Sequence, residues 1–312
     1  MSEPTKHHYI PKFLLAEWAV NKGKLWRFTR PYGKKIDQKL VAPAAIGYED
    51  RLYTTSGLPD RYAQQFEKAF LSKVDHRGSQ AHRLLMRDSP IVWTTPLRSD
   101  WTRFINSLLF RTPENLAAFK EAAGIRLASE TPGQAAAYLT NKHDNWPGTL
   151  NETMDIIAPG WIEQAAMEML PSLIDNGEWG ERINEMVWNV GEMAPGHEFL
   201  ISDAPLQHTT PIHAKGGHLM IPISPTRLFV ATNEGDDDTL KMCMSLDPNN
   251  LVEQVNRAIV SRASIFVGAT SLAQLNFVAE YFATEEHSTV IKRISRRYSE
   301  DTKGRSEASR SM

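Results

Sequence analysis

Two adjacent histidines near the start of the chain are the residues best suited to acid–base chemistry. His7 and His8 stand between Lys6 and Tyr9, and an apolar helical start follows at residues 11–15. A neutral imidazole has a pKa near neutral pH, so it can act as a general base or a metal ligand. In an extended segment the two rings point to opposite sides, so at most one faces a given pocket. The alternative interpretation is a polar arm whose histidines hydrogen-bond to neighbouring elements.

The opening segment resembles the H-H-Y-x-P-x-x-x-L motif with which members of domain-of-unknown-function family 4238 (DUF4238) begin. Further landmarks of that family follow in order: residues 25–28, Tyr53, 66–67, 74–75, 104–105, 111–113, 199–205 and 222–225. Two departures occur, since Asp75 stands where the family more often has Glu, and residues 106–107 replace a Gln-like stretch. The family carries no established activity, so the resemblance implies a common fold and no particular reaction.

The polar residues among these landmarks supply a candidate acid and a candidate anion-binding group. Glu67 and Asp75 are eight residues apart on one predicted helix, about 12 Å in rise, so each can meet a partner but they cannot share one small ion. Arg111 stands at a predicted helix end, where its guanidinium can pair with a carboxylate or bind a phosphate through two hydrogen bonds. Asp203 follows an apolar strand, and its alternative interpretation is a turn residue that accepts backbone hydrogen bonds.

A base, an acid and an anion-binding group together suit phosphodiester or other hydrolysis, with or without a divalent metal ion. The predicted catalytic set is His7, His8, Glu67, Arg111 and Asp203. The predicted substrate contacts are Tyr9, Lys24, Arg27 and Ser202. His208, His213 and His218 recur every five residues, which fits neither a helical nor a strand face, so we expect loop histidines there and not a metal site.

Basic and aromatic residues alternate near the amino-terminal end, a pattern typical of a nucleic-acid-binding ribbon. The basic members are Lys22, Lys24, Arg27, Arg30, Lys34, Lys35 and Lys39, and the aromatic ones are Trp26, Phe28 and Tyr32. The alternative, which we favour, is a hairpin with Trp26 and Phe28 in the core and its lysines in water, because strands need aromatic residues for packing.

Composition excludes several classes of protein. The formal net charge of the 312 residues is −2, which excludes a uniformly basic nucleic-acid coat protein, although residues 1–39 hold nine basic and three acidic residues. The single cysteine, Cys243, excludes an intramolecular disulfide framework and a cysteine-rich metal module. With no signal-peptide pattern and no apolar run long enough to span a bilayer, the sequence predicts a cytoplasmic protein without membrane segments.

The order of predicted elements indicates an α+β fold. Strand signals occur at both ends of the chain, including residues 52–55. Between them the threonine–proline pairs at 95–96, 112–113 and 131–132 predict helix starts, and Pro171 is expected to kink or shorten a later helix. We therefore expect the terminal parts to share a sheet or to pack side by side. The predicted organisation is one domain over residues 1–284, with amino-terminal strands (6–59), a helical middle (60–184) and a mixed strand and helix part (185–284). Residues 285–312 are polar and predict a disordered tail.

Three functions from different classes are compatible with these patterns. The favoured one is a hydrolase acting on a phosphate-containing substrate, including nucleic acid. The second is a nucleic-acid-binding module without catalysis, which would use the basic hairpin. The third is a structural or interaction protein in which the histidine motif anchors the amino-terminal segment.

Overall fold

The computed structural model describes residues 5–55, 66–194, 196–209, 211–233 and 247–285. These residues form an α+β fold with most helices in the middle, as predicted. The strands are β1 (Lys6–His8), β2 (Leu25–Tyr32), β3 (Lys35–Val41), β4 (Tyr48–Asp50), β5 (Val187–Glu192), β6 (Ile201–Ser202), β7 (Gln207–His208), β8 (His218–Pro222), β9 (Arg227–Thr232) and β10 (Val267–Ala269). The α-helices are α1 (Lys12–Leu15), α2 (Ser72–Leu85), α3 (Thr95–Leu108), α4 (Pro113–Ala128), α5 (Pro132–Asn141), α6 (Leu150–Ile157), α7 (Trp161–Ile174), α8 (Gly177–Glu185), α9 (Pro248–Arg262) and α10 (Leu275–Tyr281).

Threonine side chains cap four of the central helices, α3 to α6, with Thr149 at the start of α6. At α4 and α5 the caps are the predicted Thr112 and Thr131, whose hydroxyls accept amide hydrogen bonds of 3.3 and 3.2 Å from the first turn. At α3 the cap is Thr94 and not the predicted Thr95; its hydroxyl accepts from the Leu97 amide at 3.4 Å. The correction follows from the backbone, because a cap residue is extended and Thr94 has φ −74° and ψ 154°.

One predicted strand is wrong and one predicted interruption is milder than expected. Residues 52–55 form no strand, because Arg51 has a left-handed conformation (φ 57°) and the Thr54 amide bonds to the Arg51 carbonyl at 2.9 Å. The strand lies just before, as β4. Pro171 lies inside α7, which continues to Ile174 because buried side chains of its last turns pack into a helical core.

Strands from both ends of the chain share one sheet, which confirms that prediction. Its order is β3-β2-β10-β6, and every neighbouring pair is antiparallel. A second antiparallel sheet has the order β5-β9-β8-β7. The short strands β1 and β4 form a separate pair with His7 opposite Glu49 and His8 opposite Tyr48. This pair fixes the two histidines in extended backbone.

The largest buried cluster of apolar side chains draws on all three predicted parts of the chain. It includes Tyr9 and Leu25 from the amino-terminal part, Trp101 from α3, and Ile221 and Phe229 from the second sheet. Burying such side chains stabilises the fold by about 1.5–3 kcal/mol each. The amino-terminal segment is therefore packed against both the helices and the second sheet.

The close approach of α2 and α3 depends on Gly78. A Cβ atom at this position would lie 2.8 Å from Cδ2 of Phe104, too close for any real contact. Although alanine favours a helix over glycine by about 1 kcal/mol, we expect Gly78→Ala to lower the free energy of unfolding by about 1–3 kcal/mol through overpacking. Urea denaturation measures this, with exposed Gly133→Ala in α5, where a Cβ meets nothing within 4 Å, as the control. A stabilised Gly78→Ala protein would contradict the packing argument.

Three predictions fall partly or wholly outside the described residues. These are the predicted tail beyond Glu285, Cys243 and the first six residues of the helical middle (60–65). None of the helices in the described ranges is long and apolar enough to cross a membrane.

Candidate functional site

Strand β1 places His7 and His8 in different environments, because neighbouring side chains of a strand point to opposite faces. His7 is fully buried, and its ring stacks on Tyr53 with centroids 5.5 Å apart. The Tyr53 amide donates to Nδ1 of His7 at 3.0 Å. The hydroxyl of Tyr53 donates to the Arg111 carbonyl at 2.6 Å, so His7 is joined through Tyr53 to the end of α3.

His8 is half-buried and is held as a neutral imidazole. Burial is the main cause that lowers its pKa to about 4, with Lys12 and Arg111 acting in the same direction; the backbone of Ala44 and the carboxylate of Asp75 oppose them. Nε2 is buried and has no hydrogen-bond partner among the described residues. Because the Ala44 backbone favours the charged ring and Nε2 has no partner, we assign the proton of the neutral ring to Nδ1 and the accepting lone pair to Nε2.

Arg111 links β1 to the helices. Its side chain is completely buried, and its two terminal nitrogens donate to the carboxylate of Asp75 at 2.6 and 3.0 Å. One of these nitrogens also donates to the His8 carbonyl at 2.9 Å, and the other lies 3.4 Å from the Ser107 hydroxyl. The sequence left two roles open for Arg111, pairing with a carboxylate or binding a phosphate. The structure shows the carboxylate pair, in which both terminal nitrogens already donate and no two-donor face is left for a phosphate.

The carboxyl group of Glu67, like the ring of His8, has a strongly shifted pKa. It lies in a π-helical turn (Phe66–Leu71) just before α2, a kind of distortion that often occurs at functional sites. Burial raises its pKa to about 7, with Asp75 acting in the same direction and Arg111 and Lys12 opposing. Oε2 is buried without a hydrogen-bond partner in the described part of the chain. Its carboxyl group can therefore give or take a proton near neutral pH.

His8 and Glu67 belong to one electrostatic neighbourhood, because the same three charges act on both: Lys12, Asp75 and Arg111. The fold thus brings together three of the five predicted catalytic residues: His8, Glu67 and Arg111. His7 is joined to this group through its contact with Tyr53. Sequence reasoning missed Lys12, although it lies four residues after His8 inside the same motif. It also treated Tyr53 only as a landmark.

One comparison with known proteins covers the whole of this neighbourhood and of the shared sheet. The sequence model of one family, described as a protein of unknown function (DUF4238), matches residues 6–271, which include both ends of the shared sheet and the whole neighbourhood of His8 and Glu67. The chain belongs to the DUF4238 family. No curated protein and no solved structure matches it. The DUF4238 match therefore supports a common fold and leaves the reaction open.

Two predicted site residues of the DUF4238 chain have their polar atoms engaged inside the fold. The carboxylate of Asp203 accepts hydrogen bonds from the amides of residues 264–266 and from the Ser264 hydroxyl, all at 2.9–3.0 Å. The Ser202 hydroxyl donates to the Ile259 carbonyl at 3.3 Å and accepts from the Ala204 amide at 3.0 Å. These bonds match the turn-residue alternative for Asp203, and Ser202 is buried at 0% exposure, so neither residue enters the proposal made below.

The other predicted substrate contacts are Tyr9, Lys24 and Arg27, and they lie in different environments. Tyr9 is buried in the core, and burial raises the pKa of its hydroxyl above the ordinary range. Lys24 is exposed in the turn before β2, and Arg27 pairs with Asp37 at 3.3 Å. The joint role of Tyr9, Lys24 and Arg27 as substrate contacts stays a prediction, and the buried position of Tyr9 does not favour it.

The basic hairpin of the DUF4238 chain matches the favoured alternative. Phe28 is fully buried and Trp26 packs on the same cluster, while Arg30 donates to the carbonyls of Ala279 and Phe282 at the end of α10. Tyr32 is 85% exposed.

In the described ranges no group of three or more His, Cys, Asp or Glu side chains could hold a metal ion. The expectation of loop histidines is wrong for two of the three spaced histidines, since His208 ends β7 and His218 begins β8. His218 bonds to the nearby Gly216 carbonyl at 2.9 Å.

Proposed function

We propose that the chain is a hydrolase acting on a phosphate-containing substrate, with His8 as the general base and Glu67 as the general acid. One observation carries the proposal: two groups in the same neighbourhood have pKa values moved in opposite directions, to about 4 and about 7. Such a displaced pair is the usual arrangement of an acid and a base that must work at the same pH. Between these values His8 is neutral and Glu67 is protonated.

The proposed reaction needs only these two proton carriers and water. Nε2 of His8 takes a proton from a water molecule as the water oxygen attacks phosphorus. The bond from phosphorus to the leaving oxygen breaks, and Glu67 gives its proton to that oxygen. The proton on His8 then returns to Glu67 through solvent, which restores both groups. Positioned acid–base groups of this kind contribute about 100- to 10,000-fold in rate.

Lys12 is the cation that we assign to the substrate phosphate. It is exposed, and its charge acts on both His8 and Glu67. Arg111, the group predicted for this task, has its terminal nitrogens occupied by Asp75, Ser107 and the His8 carbonyl. An ammonium group binds phosphate as a point charge and needs no paired donors.

A second candidate is a non-catalytic protein in which the histidine motif anchors the amino-terminal strand. The observation that favours it is the bridge from Arg111 to both the His8 carbonyl and the Asp75 carboxylate. This candidate explains the motif by stability alone. It gives no reason for Nε2 of His8 and Oε2 of Glu67, which are buried without a hydrogen-bond partner among the described residues, an unfavourable state in a purely structural cluster.

The test is hydrolysis of bis(p-nitrophenyl) phosphate, p-nitrophenyl phosphate and a thymidine oligonucleotide across pH 3.5–9. We expect kcat/KM to rise with pH through about 4 as His8 loses its proton, and to fall through about 7 as Glu67 loses its own. Glu67→Gln should lower kcat about 100-fold or more and remove the upper limit of the profile. His8→Gln should remove the lower limit.

The matched control is Asp50→Asn, which removes an exposed carboxylate on β4, the strand that pairs with β1. It should leave the rate and the profile unchanged. If none of the three substrates is hydrolysed, the anchoring candidate is favoured. It is also favoured if Asp50→Asn loses as much activity as Glu67→Gln and His8→Gln.

A further inference from the structure

The four outer strands of the two larger sheets differ in how their free edges are protected. Sheet edges are usually shortened, charged or covered, because an exposed edge offers unpaired backbone groups to another chain. Strands β6 and β7 are only two residues long, and β3 presents exposed Lys35, Asp37 and Lys39. Strand β5 is six residues long and contains neither lysine, arginine nor proline. It is thus the least protected of these four edges.

The outer edge of β5 is unpaired in the described part of the chain. Its inner edge pairs with β9 from Val187 opposite Thr232 to Glu192 opposite Arg227. Within the described residues, the backbone of β5 makes no hydrogen bond besides this ladder. Because alternate residues of a strand direct their amide and carbonyl groups outward, about half of these groups are available to a further strand.

The unpaired edge lines an open cleft of about 490 Å³. Residues 85–93 form the opposite wall, so the cleft runs between that segment and β5. Trp93 and Trp188 meet edge to face at 5.6 Å, and because Trp188 is only 4% exposed, the partly buried ring of Trp93 supplies the apolar surface. Arg98 lies 4.6 Å from the Trp188 ring centre and donates to the Asn184 and Met186 carbonyls just before β5. These contacts hold the aromatic wall in place without a ligand.

One end of the cleft presents carboxylates to solvent. Arg227 is 8% exposed and donates to Asp88 and Glu192, whose side chains are 93% and 61% exposed. The buried guanidinium lies behind the two acids, so an incoming chain meets the acids first. A basic side chain is the complement of this end.

We propose that the β5 edge binds an extended peptide segment of a partner protein by strand addition to the second sheet. The backbone of the segment pairs with the outer groups of β5. An apolar side chain lies against Trp93, which Trp188 supports from behind in the buried core, and a basic side chain lies near Asp88 and Glu192. This mode takes its affinity from main-chain hydrogen bonds and its specificity from alternate side chains. The inference is independent of the proposed hydrolase.

The test is selection of random octapeptides displayed on phage against the full chain, after depletion on the Asn189→Lys variant. Asn189 is a half-buried residue of β5 in the cleft, and lysine on an edge strand opposes further pairing. We expect selected peptides to combine apolar and basic residues. Their affinity should fall about tenfold or more with Asn189→Lys or Trp93→Ala, as for a central contact of an interface. Amide hydrogen exchange should slow in β5 when a selected peptide is bound.

The matched control is Gln38→Lys, which adds the same charge to the outer strand β3 and should leave peptide affinity within about twofold. Urea denaturation of each variant shows whether it is folded. Three results would each overturn the inference: no enrichment over Asn189→Lys, exchange protection outside β5, or equal loss of affinity in Gln38→Lys. Self-association of the chain that Asn189→Lys abolishes would overturn it as well, because a second copy would then occupy the edge.

Discussion

Replacing Arg111 with methionine should lower the free energy of unfolding by about 3–5 kcal/mol. Arg111 is completely buried, and methionine leaves the carboxylate of Asp75 and the carbonyl of His8 without their donors. Removing one partner of a buried ion pair leaves the other charge uncompensated, which produces losses of this size. The side chain of Asp75 is 26% exposed, so water compensates part of its charge and we expect the lower end of the range. Arg111→Lys keeps the charge but not the two-donor geometry, so we expect an intermediate loss. Equilibrium urea denaturation at pH 7 measures both.

The control for Arg111 lies on the preceding helix. Arg103 of α3 pairs with Asp175 while about a third of each side chain is exposed. Exposed ion pairs contribute about 0–1 kcal/mol, so Arg103→Met should have little effect. If Arg111→Met lost no more than Arg103→Met, the bridge between β1 and the helices would not stabilise the fold. The anchoring candidate would then be excluded together with it.

The second large effect is a pair of opposed pH dependences of stability. The pKa of Glu67 is raised in the folded state, so its contribution to stability is present below about pH 4.5 and is lost as pH rises through about 7. The pKa of His8 is lowered, so its contribution is present above about pH 6.5 and is lost as pH falls through about 4. Between about pH 4.5 and 6.5 the two slopes oppose each other in the wild type.

Single substitutions should expose each slope. From pH 4.5 up to pH 8, the free energy of unfolding of Glu67→Gln should rise by about 2–3 kcal/mol relative to that of the wild type. The figure follows from about 1.4 kcal/mol per pKa unit. From pH 8 down to pH 4, the free energy of unfolding of His8→Gln should rise by about 1–2 kcal/mol relative to that of the wild type. This is less than for Glu67 because solvent screens the half-buried ring of His8. Urea denaturation at five pH values measures both. Parallel curves for the wild type and the two variants would show that neither group is perturbed.

These two predictions also separate function from stability. A carboxyl group kept in a site that destabilises its charged form is expected where activity requires it, since active sites trade stability for function. A Glu67→Gln protein that is more stable at pH 8 and inactive would agree with a catalytic role. One that is more stable and fully active would remove Glu67 from the proposed reaction.

The sequence predicted what depends on local spacing. Strand alternation separates the environments of His7 and His8, and threonine caps mark the starts of α4 and α5 because these features need only neighbouring residues. The left-handed Arg51, which ends β4 and prevents the predicted strand at 52–55, has no such marker. Non-glycine residues seldom adopt this conformation, so side-chain type gives little warning of it.

The contacts of Arg111 and Asp203 could not be predicted in the same way. Arg111 donates to a backbone carbonyl 103 residues away, and carbonyl groups are present at every residue, so residue type cannot identify the acceptor. Asp203 is engaged by amides 61–63 residues further along the chain. Whether a polar residue at a strand end binds a substrate or the backbone is decided by packing that only the folded chain contains.

The shared sheet also has a consequence for the synthesis of the protein. The hairpin β2–β3 is complete once residue 41 has left the ribosome, but the neighbour of β2 on its other side, β10, begins at residue 267. Asn21 likewise donates to the Thr270 carbonyl, 249 residues later. At translation rates of about 5–20 residues per second, the open side of β2 waits for about 10–50 s. During that time the unpaired edge of β2 offers its backbone groups to other chains.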